Sequence, residues 1–176
     1  MSLASNPKII AVAAQSENGI IGKAGGIPWR VKGDMKFWTQ QARGRPVIMG
    51  RKTYESMPPA FKKRTDIIII TRDDEYTAEN AEICYGFDDA LQTAREICAA
   101  RDIDTIVVGG GGEIYRQALP YLDAMYLTTI HCKVEEGDAR FPDFDETEWQ
   151  TDGPPQEFPA EPGDTCGYTI RKYVRS

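Results

Sequence analysis

One carboxylate in this chain stands in a setting that is otherwise apolar and aromatic. Residues 25–38 read Gly-Gly-Ile-Pro-Trp-Arg-Val-Lys-Gly-Asp-Met-Lys-Phe-Trp. A glycine run leads in, Pro28-Trp29 ends it, and an amphipathic helix is expected from Val31–Lys32 onward. Asp34 then falls in the first helical turn, with Trp38 at i+4. The carboxylate and the indole share one helix face and can look into one cavity. A lone acid against apolar walls orients a ligand or handles a proton. The plainer reading is an acid that complements a helix dipole from solvent.

Two further stretches suit anions. Met49-Gly50-Arg51-Lys52-Thr53 brings together a glycine at a strand end, a helix start with free N–H groups, a hydroxyl and two cations. Gly109–Gly112, ahead of Glu113-Ile114-Tyr115, offers backbone alone. Neither is a G-x-G-x-x-G or a P-loop, and one glycine-rich turn often only closes a tight connection. Two in one small domain favour a ligand with two phosphate clusters, such as a dinucleotide. Thr71-Arg72 adds a third basic contact. An extra phosphate there points to NADP rather than NAD.

The elements that must position these residues alternate in type. Lys8–Ala14 is an almost wholly apolar run, expected as a buried strand. A helix is expected over 32–43, a strand over Arg45–Gly50, and a short helix over Arg51–Met57, halted by Pro58-Pro59. Strands follow at Asp66–Thr71 and Glu82–Tyr85, then a helix at Phe87–Ala100 and a strand at Asp104–Val108. Glu113–Leu119 reads as a helix and Ala124–Ile130 as a strand. Glu148–Asp152 and Gly167–Val174 look like an antiparallel pair around a Pro/Gly-rich loop, Gly153–Gly163, which reads only as a surface turn. The pattern predicts an α/β domain with a mostly parallel sheet. Ligands bind such sheets at the carboxyl ends of the strands.

With 176 residues the chain is expected to form one domain over 8–176, with 1–7 as a disordered or appended leader. No apolar run approaches a membrane span, and no signal-peptide pattern opens the chain. The four cysteines are scattered and, with a single histidine, offer no metal-ligand spacing. No metal is expected, and reduced thiols suit a cytoplasmic protein. A G-x-S-x-G hydrolase signature is missing. The net charge of −6 argues against nucleic-acid binding and leaves anions to local basic clusters.

Taken in order, Gly25-Gly-Ile-Pro-Trp29, Asp34, Pro46–Ser56, Ile70-Thr-Arg72, Val108–Tyr115 and Phe141-Pro-Asp143 resemble the dihydrofolate reductase family across essentially the whole chain. The resemblance implies a three-layer α/β fold with a twisted, mostly parallel eight-stranded sheet and about four flanking helices. It implies hydride transfer from NADPH to carbon 6 of dihydrofolate, with a proton to N5. Asp34 matches the acid that holds the pterin through its amino group and N3, Thr128 the hydroxyl that reaches acid and pterin, and Trp29 joins them as a catalytic residue. Met35, Trp38, Met57 and Phe61 match the walls around the pterin and benzoyl groups. Val12, Ala13, Gly109 and Tyr115 match further substrate contacts. Arg64 matches the arginine that grips the glutamate tail.

On the cofactor side, Ala14 and Ile21 match nicotinamide contacts. Thr53, Gly111, Gly112 and Glu113 match the pyrophosphate cradle, with Gly50, Gly110 and Ile114 beside it. Arg51, Lys52, Thr71 and Arg72 match the adenosine 2′-phosphate site, and residues 15–28 the loop that closes over the nicotinamide. The implied partners are dihydrofolate and antifolate inhibitors, and the implied state is a monomer. Three positions depart from the pattern. Gly109 stands where the family carries an aliphatic residue, unless one glycine is inserted, and is expected to leave a roomier site that an isoleucine would tighten. Phe61 replaces a leucine, and Glu135-Glu136-Gly137 is one residue long. Two other readings remain: a same-fold reductase of a riboflavin-pathway pyrimidine, and a non-catalytic pterin- or nucleotide-binding protein.

Overall fold

The computed structural model describes residues 6–22, 28–63 and 66–176. The expectations for Gly25, Gly26 and Ile27, and for Arg64, lie outside them. The centre of the sheet is built from short β-branched runs whose side chains are buried on both faces, as parallel strands require. These are β1 (Lys8–Ser16), β3 (Val47–Gly50), β4 (Ile67–Ile70) and β6 (Thr105–Val108). β5 (Ala81–Cys84) closes one edge, and β7 (Ala124–Ile130) lies parallel to β1 on the other side. β11 (Tyr168–Arg175) then runs antiparallel to β7.

The far edge of β11 is shared by β9 (Trp149–Thr151) and β10 (Gln156–Phe158). The main path runs β10-β11-β7-β1-β6-β3-β4-β5, the eight expected strands, and β9 adds a ninth on β11. β10 falls inside the stretch that read as a turn. Prolines flank it and cannot extend its ladder, which suits a short exposed edge.

One face of the sheet is covered by α4 (Phe87–Arg101), which buries Ala90, Leu91, Ala94 and Cys98 at helical spacing. Its first turn carries Asp88 and Asp89 and its last Arg101, matching the helix dipole. α5 (Gly112–Ala118) packs on the same side. The opposite face carries α1 (Lys32–Ala42) and α2 (Arg51–Ser56). α3 (Pro59–Lys62) is a single extra turn. Pro58-Pro59 does halt α2 as expected, but Pro59 also opens α3, because proline is tolerated in a first helical turn.

A second, two-stranded sheet escaped the sequence reading. β2 (Ile20–Gly22) pairs antiparallel with β8 (Ala139–Arg140). Strands this short carry no readable alternation.

Candidate active site

β1, β3, β4 and β6 are mutually parallel, so their carboxyl ends share one edge of the sheet. A cavity of about 740 Å3 opens there. Its floor is Val12, Ala13 and Ala14 from β1, and its far wall is the glycine run after β6.

Asp34 enters this cavity from the first turn of α1. The helix start needs nothing from it, because the Lys32 amide donates to Asp164 Oδ1 at 3.0 Å. The Arg30 amide donates to Thr165 Oγ1, and Thr165 donates back to the Arg30 carbonyl. The loop before β11 therefore caps α1 from outside and leaves Asp34 free to face the cavity. Asp34 also borders a shallower groove along the outer side of α1, which is why the residue as a whole is only half-buried. Burial nonetheless dominates its chemistry, pushing the carboxyl up from 3.8 to about 6, with the neighbouring Trp29 N–H offsetting part of the rise. Trp29 Nε1 is itself buried without any partner of full hydrogen-bond geometry among the described residues, so its hold on Asp34 is loose. An unpartnered carboxylate and an unpartnered indole N–H thus face the same space.

The walls around Asp34 are Met35 and Trp38 from α1 and Met57 after α2. Phe61 does not line the cavity. It is buried behind Trp38, with ring centroids 5.0 Å apart. Thr128 is buried on β7 beside Ala14 and is not part of the cavity lining. Tyr115 reaches across from α5, and its hydroxyl donates to the Val12 carbonyl at 2.8 Å. Burial, reinforced by Asp34, raises the Tyr115 phenol well above its ordinary range, so it stays a proton donor.

The expectation of a roomier site at Gly109 is not met. A Cβ there would lie 2.8 Å from Trp38 Cζ2 and 3.1 Å from Val47 Cγ1. The indole already fills the space that an aliphatic side chain would take. The cis peptide at Gly110-Gly111 and the bond from Tyr115 to Val12 leave no inserted glycine, so Gly109 is the residue that precedes the pair.

The other half of the cavity is made of backbone and cations. α2 and α5 both start at its rim, with Gly50 and Gly111 as caps that lack side-chain hydrogen bonds. The Gly50 amide donates to the Gly110 carbonyl and ties the two rims together. Gly112 is required by a close approach: a Cβ would lie 2.6 Å from the Arg140 carbonyl oxygen. Thr53, Glu113 and Ile114 complete this rim, Ile21 faces it from β2, and Lys52, Thr71 and Arg72 extend it. Arg72 is exposed and makes no ion pair among the described residues. Arg51 is already engaged, with Glu55 at 2.7 Å, Asp73 at 3.1 Å and the Tyr76 ring at 4.2 Å.

Gly22, Ser56, Ile70, Gln117, Asp138 and Ala139 also line the cavity, and none was singled out from sequence. Asp138 and Ala139 arrive because β8 pairs with β2. That pairing is held by Asn18. Its Oδ1 accepts from the Val134 amide at 3.1 Å and from Ser16 Oγ at 2.6 Å, and its Nδ2 donates to the Val134 carbonyl at 2.9 Å. Arg140 closes the group by donating to the Asn18 carbonyl. The long loop is accommodated by Glu136 at φ 57° and by Gly137 seated against Ile20. An asparagine next to glycine in the sequence suggests only a turn, so this role had no prior signal.

The dihydrofolate reductase family model matches residues 8–175. This chain belongs to the dihydrofolate reductase family. Among curated relatives, the dihydrofolate reductase of Neisseria gonorrhoeae is 38% identical over 143 residues, covering 81% of this chain and 84% of that protein. The type 3 dihydrofolate reductase of Salmonella typhimurium is 34% identical over 142 residues, covering 81% and 83%. The solved structure of dihydrofolate reductase from Enterococcus faecalis, complexed with NADP(H) and RAB-propyl, superposes with a TM-score of 0.83 at 26% identity, covering 97% of this chain and 98% of that one. Membership makes the chain an oxidoreductase that reduces dihydrofolate with NADPH. No helix among the described residues is long and apolar enough to cross a membrane.

Proposed function

We propose that the apolar half of the cavity holds 7,8-dihydrofolate, that the glycine-lined half holds NADPH, and that Asp34 orients the pterin between them. The observation that carries this reading is Asp34 itself, a carboxyl raised to about 6 by burial and facing a cavity built from the same strand ends as the glycine rims. NADPH fits the residues present. Two uncapped helix starts face one cavity, and a glycine cradle approaches a neighbouring backbone too closely for any side chain. When bound, NADPH supplies the hydride that reaches carbon 6 of the pterin.

The chain's own residues do the rest. Asp34 accepts from the pterin amino group and N3 edge and fixes the ring against Val12 and Ala13. Trp29 offers its free indole N–H into the same space. Tyr115 holds the β1 carbonyl that underlies the pterin, and Arg64 takes the glutamate tail. Thr53 and the N–H groups of the rim at Gly110–Glu113 take the pyrophosphate. Lys52, Thr71 and the uncommitted Arg72 take the 2′-phosphate, and Arg51 joins them by exchanging Asp73 for the phosphate. The N5 proton comes from solvent, not from Asp34 directly. The walls exclude water from the hydride path. Four free cysteines and a net charge of −6 support a cytoplasmic protein that binds small molecules rather than nucleic acid, and a monomer is the form we assign.

The test is NADPH consumption, followed by absorbance, with dihydrofolate beside the riboflavin-pathway ribosylaminopyrimidine. Turnover with dihydrofolate alone is expected. NADPH binding without turnover of dihydrofolate would overturn the proposal.

A further inference from the structure

Gly109 is glycine for reasons of space. Its backbone lies outside the left-handed region, so any residue could adopt it. What bars a side chain is its surroundings. A Cβ would meet Trp38 Cζ2 at 2.8 Å, Val47 Cγ1 at 3.1 Å and Met49 Cε at 3.5 Å. Val47 and Met49 are fully buried in β3 and cannot withdraw. Trp38 is a rigid bicycle, and Phe61 backs it from the far side at 5.0 Å, with the rings tilted by 59°. The indole is wedged between the Gly109 backbone and the Phe61 ring, and its open surface faces the cavity. The wall that a side chain on β6 would supply is supplied from α1 instead.

Trp38 follows Asp34 by four residues, which is about 6 Å along the helix axis. A pterin held by Asp34 spans roughly that length. The group attached beyond the ring therefore meets the indole. We propose that Trp38 and Gly109 form one steric unit, and that through it the Trp38 indole is the specificity-determining wall for the flat aryl group that follows the pterin ring. This rests on Asp34 holding the pterin, as proposed above. Wider pockets elsewhere select by shape at this point. Here a broad aromatic face selects for planar, stackable groups.

The test is a double-mutant cycle with two probes that differ only beyond the ring system: methotrexate, which carries the aryl group and tail, and 2,4-diamino-6,7-dimethylpteridine, which does not. Binding is measured by calorimetry on Gly109→Ile, Trp38→Phe and the combined variant. From coupling energies typical of residues in contact, Gly109→Ile is expected to weaken methotrexate by about tenfold or more, and the combined variant to recover to within about threefold of the parent. The short probe is expected to change by no more than about twofold throughout, since it ends before the indole.

Additive losses, or equal losses on both probes, would overturn the proposal. Gly109→Ala serves if the isoleucine variant does not fold. It carries the same close contact, so rescue of its methotrexate affinity by Trp38→Phe is expected and absence of rescue counts against the pairing. Failure of the short probe to bind the parent protein would instead strike at the Asp34 assignment. Thermal unfolding of the four unliganded proteins then still decides whether residues 38 and 109 are coupled.

Discussion

The two halves of the cavity are built by opposite means. The cofactor half is backbone: glycine rims, two uncapped helix starts and a handful of cations at the edge. The substrate half is side chains: one carboxylate, two indoles and apolar walls drawn from α1, β1 and the chain after α2. Backbone N–H groups recognise phosphate whatever side chains surround them. Side-chain walls recognise a ligand only through their mutual fit. The first half tolerates variation in everything but its glycines, and the second is remodelled by a single exchange, as Trp38 against Gly109 demonstrates.

Removing the one polar anchor should separate the halves most sharply. Asp34→Asn is expected to lower kcat/KM for dihydrofolate by at least about 100-fold while leaving the NADPH dissociation constant unchanged. Equal damage to both would mean that the halves are not independent. The same substitution reports on stability. The folded-state carboxyl lies above its ordinary 3.8, at about 6, so the folded protein holds this proton more tightly than the unfolded chain. The group's contribution to stability is therefore lost as pH rises from 3.8 through about 6. Relative to Asp34→Asn, the unliganded parent should lose no more than about 3 kcal/mol over that window, read by denaturant unfolding at each pH. A parent that gains stability over the same range would show that the carboxylate is paired.

Gly112→Ala attacks the cofactor half through its backbone. A methyl group 2.6 Å from the Arg140 carbonyl must displace β8 or the rim itself. A loss of about 1–3 kcal/mol in stability is expected, together with weaker NADPH binding by calorimetry. Arg72→Ala is the mildest change. It should weaken NADPH by about tenfold and leave NADH untouched, the size expected for one charge-assisted contact to phosphate. Equal weakening of both cofactors would place Arg72 away from the 2′-phosphate.

This contrast also explains what could be read in advance. The cofactor half was legible because its parts are contiguous: Gly50-Arg51-Lys52-Thr53 and Gly109–Gly112 are runs, and runs survive in one dimension. The parallel core was legible for the same reason, since β1, β3, β4 and β6 are uninterrupted apolar stretches. Asp34 was legible through its i+4 partner. The substrate half depended on the family resemblance, because Val12, Trp38, Met57 and Tyr115 share no local pattern. What stayed hidden was pairwise and spatial. No sequence rule places the Trp38 indole in the side-chain position of Gly109, gives the loop at Asp164 the capping of α1, or pairs a three-residue strand with a two-residue one.

Asn18 has a kinetic consequence. Its side-chain amide presents one donor and one acceptor to Val134, the same complement that a strand residue offers from its main chain. Both bonds pivot on a single χ2 torsion, and the Ser16 contact shares the same oxygen. They cannot be released one after another, as the rungs of a ladder can. The segment that carries Ile21 to the cofactor is therefore fastened by a latch with two positions, and the time it spends undone is set by the rotation of one amide.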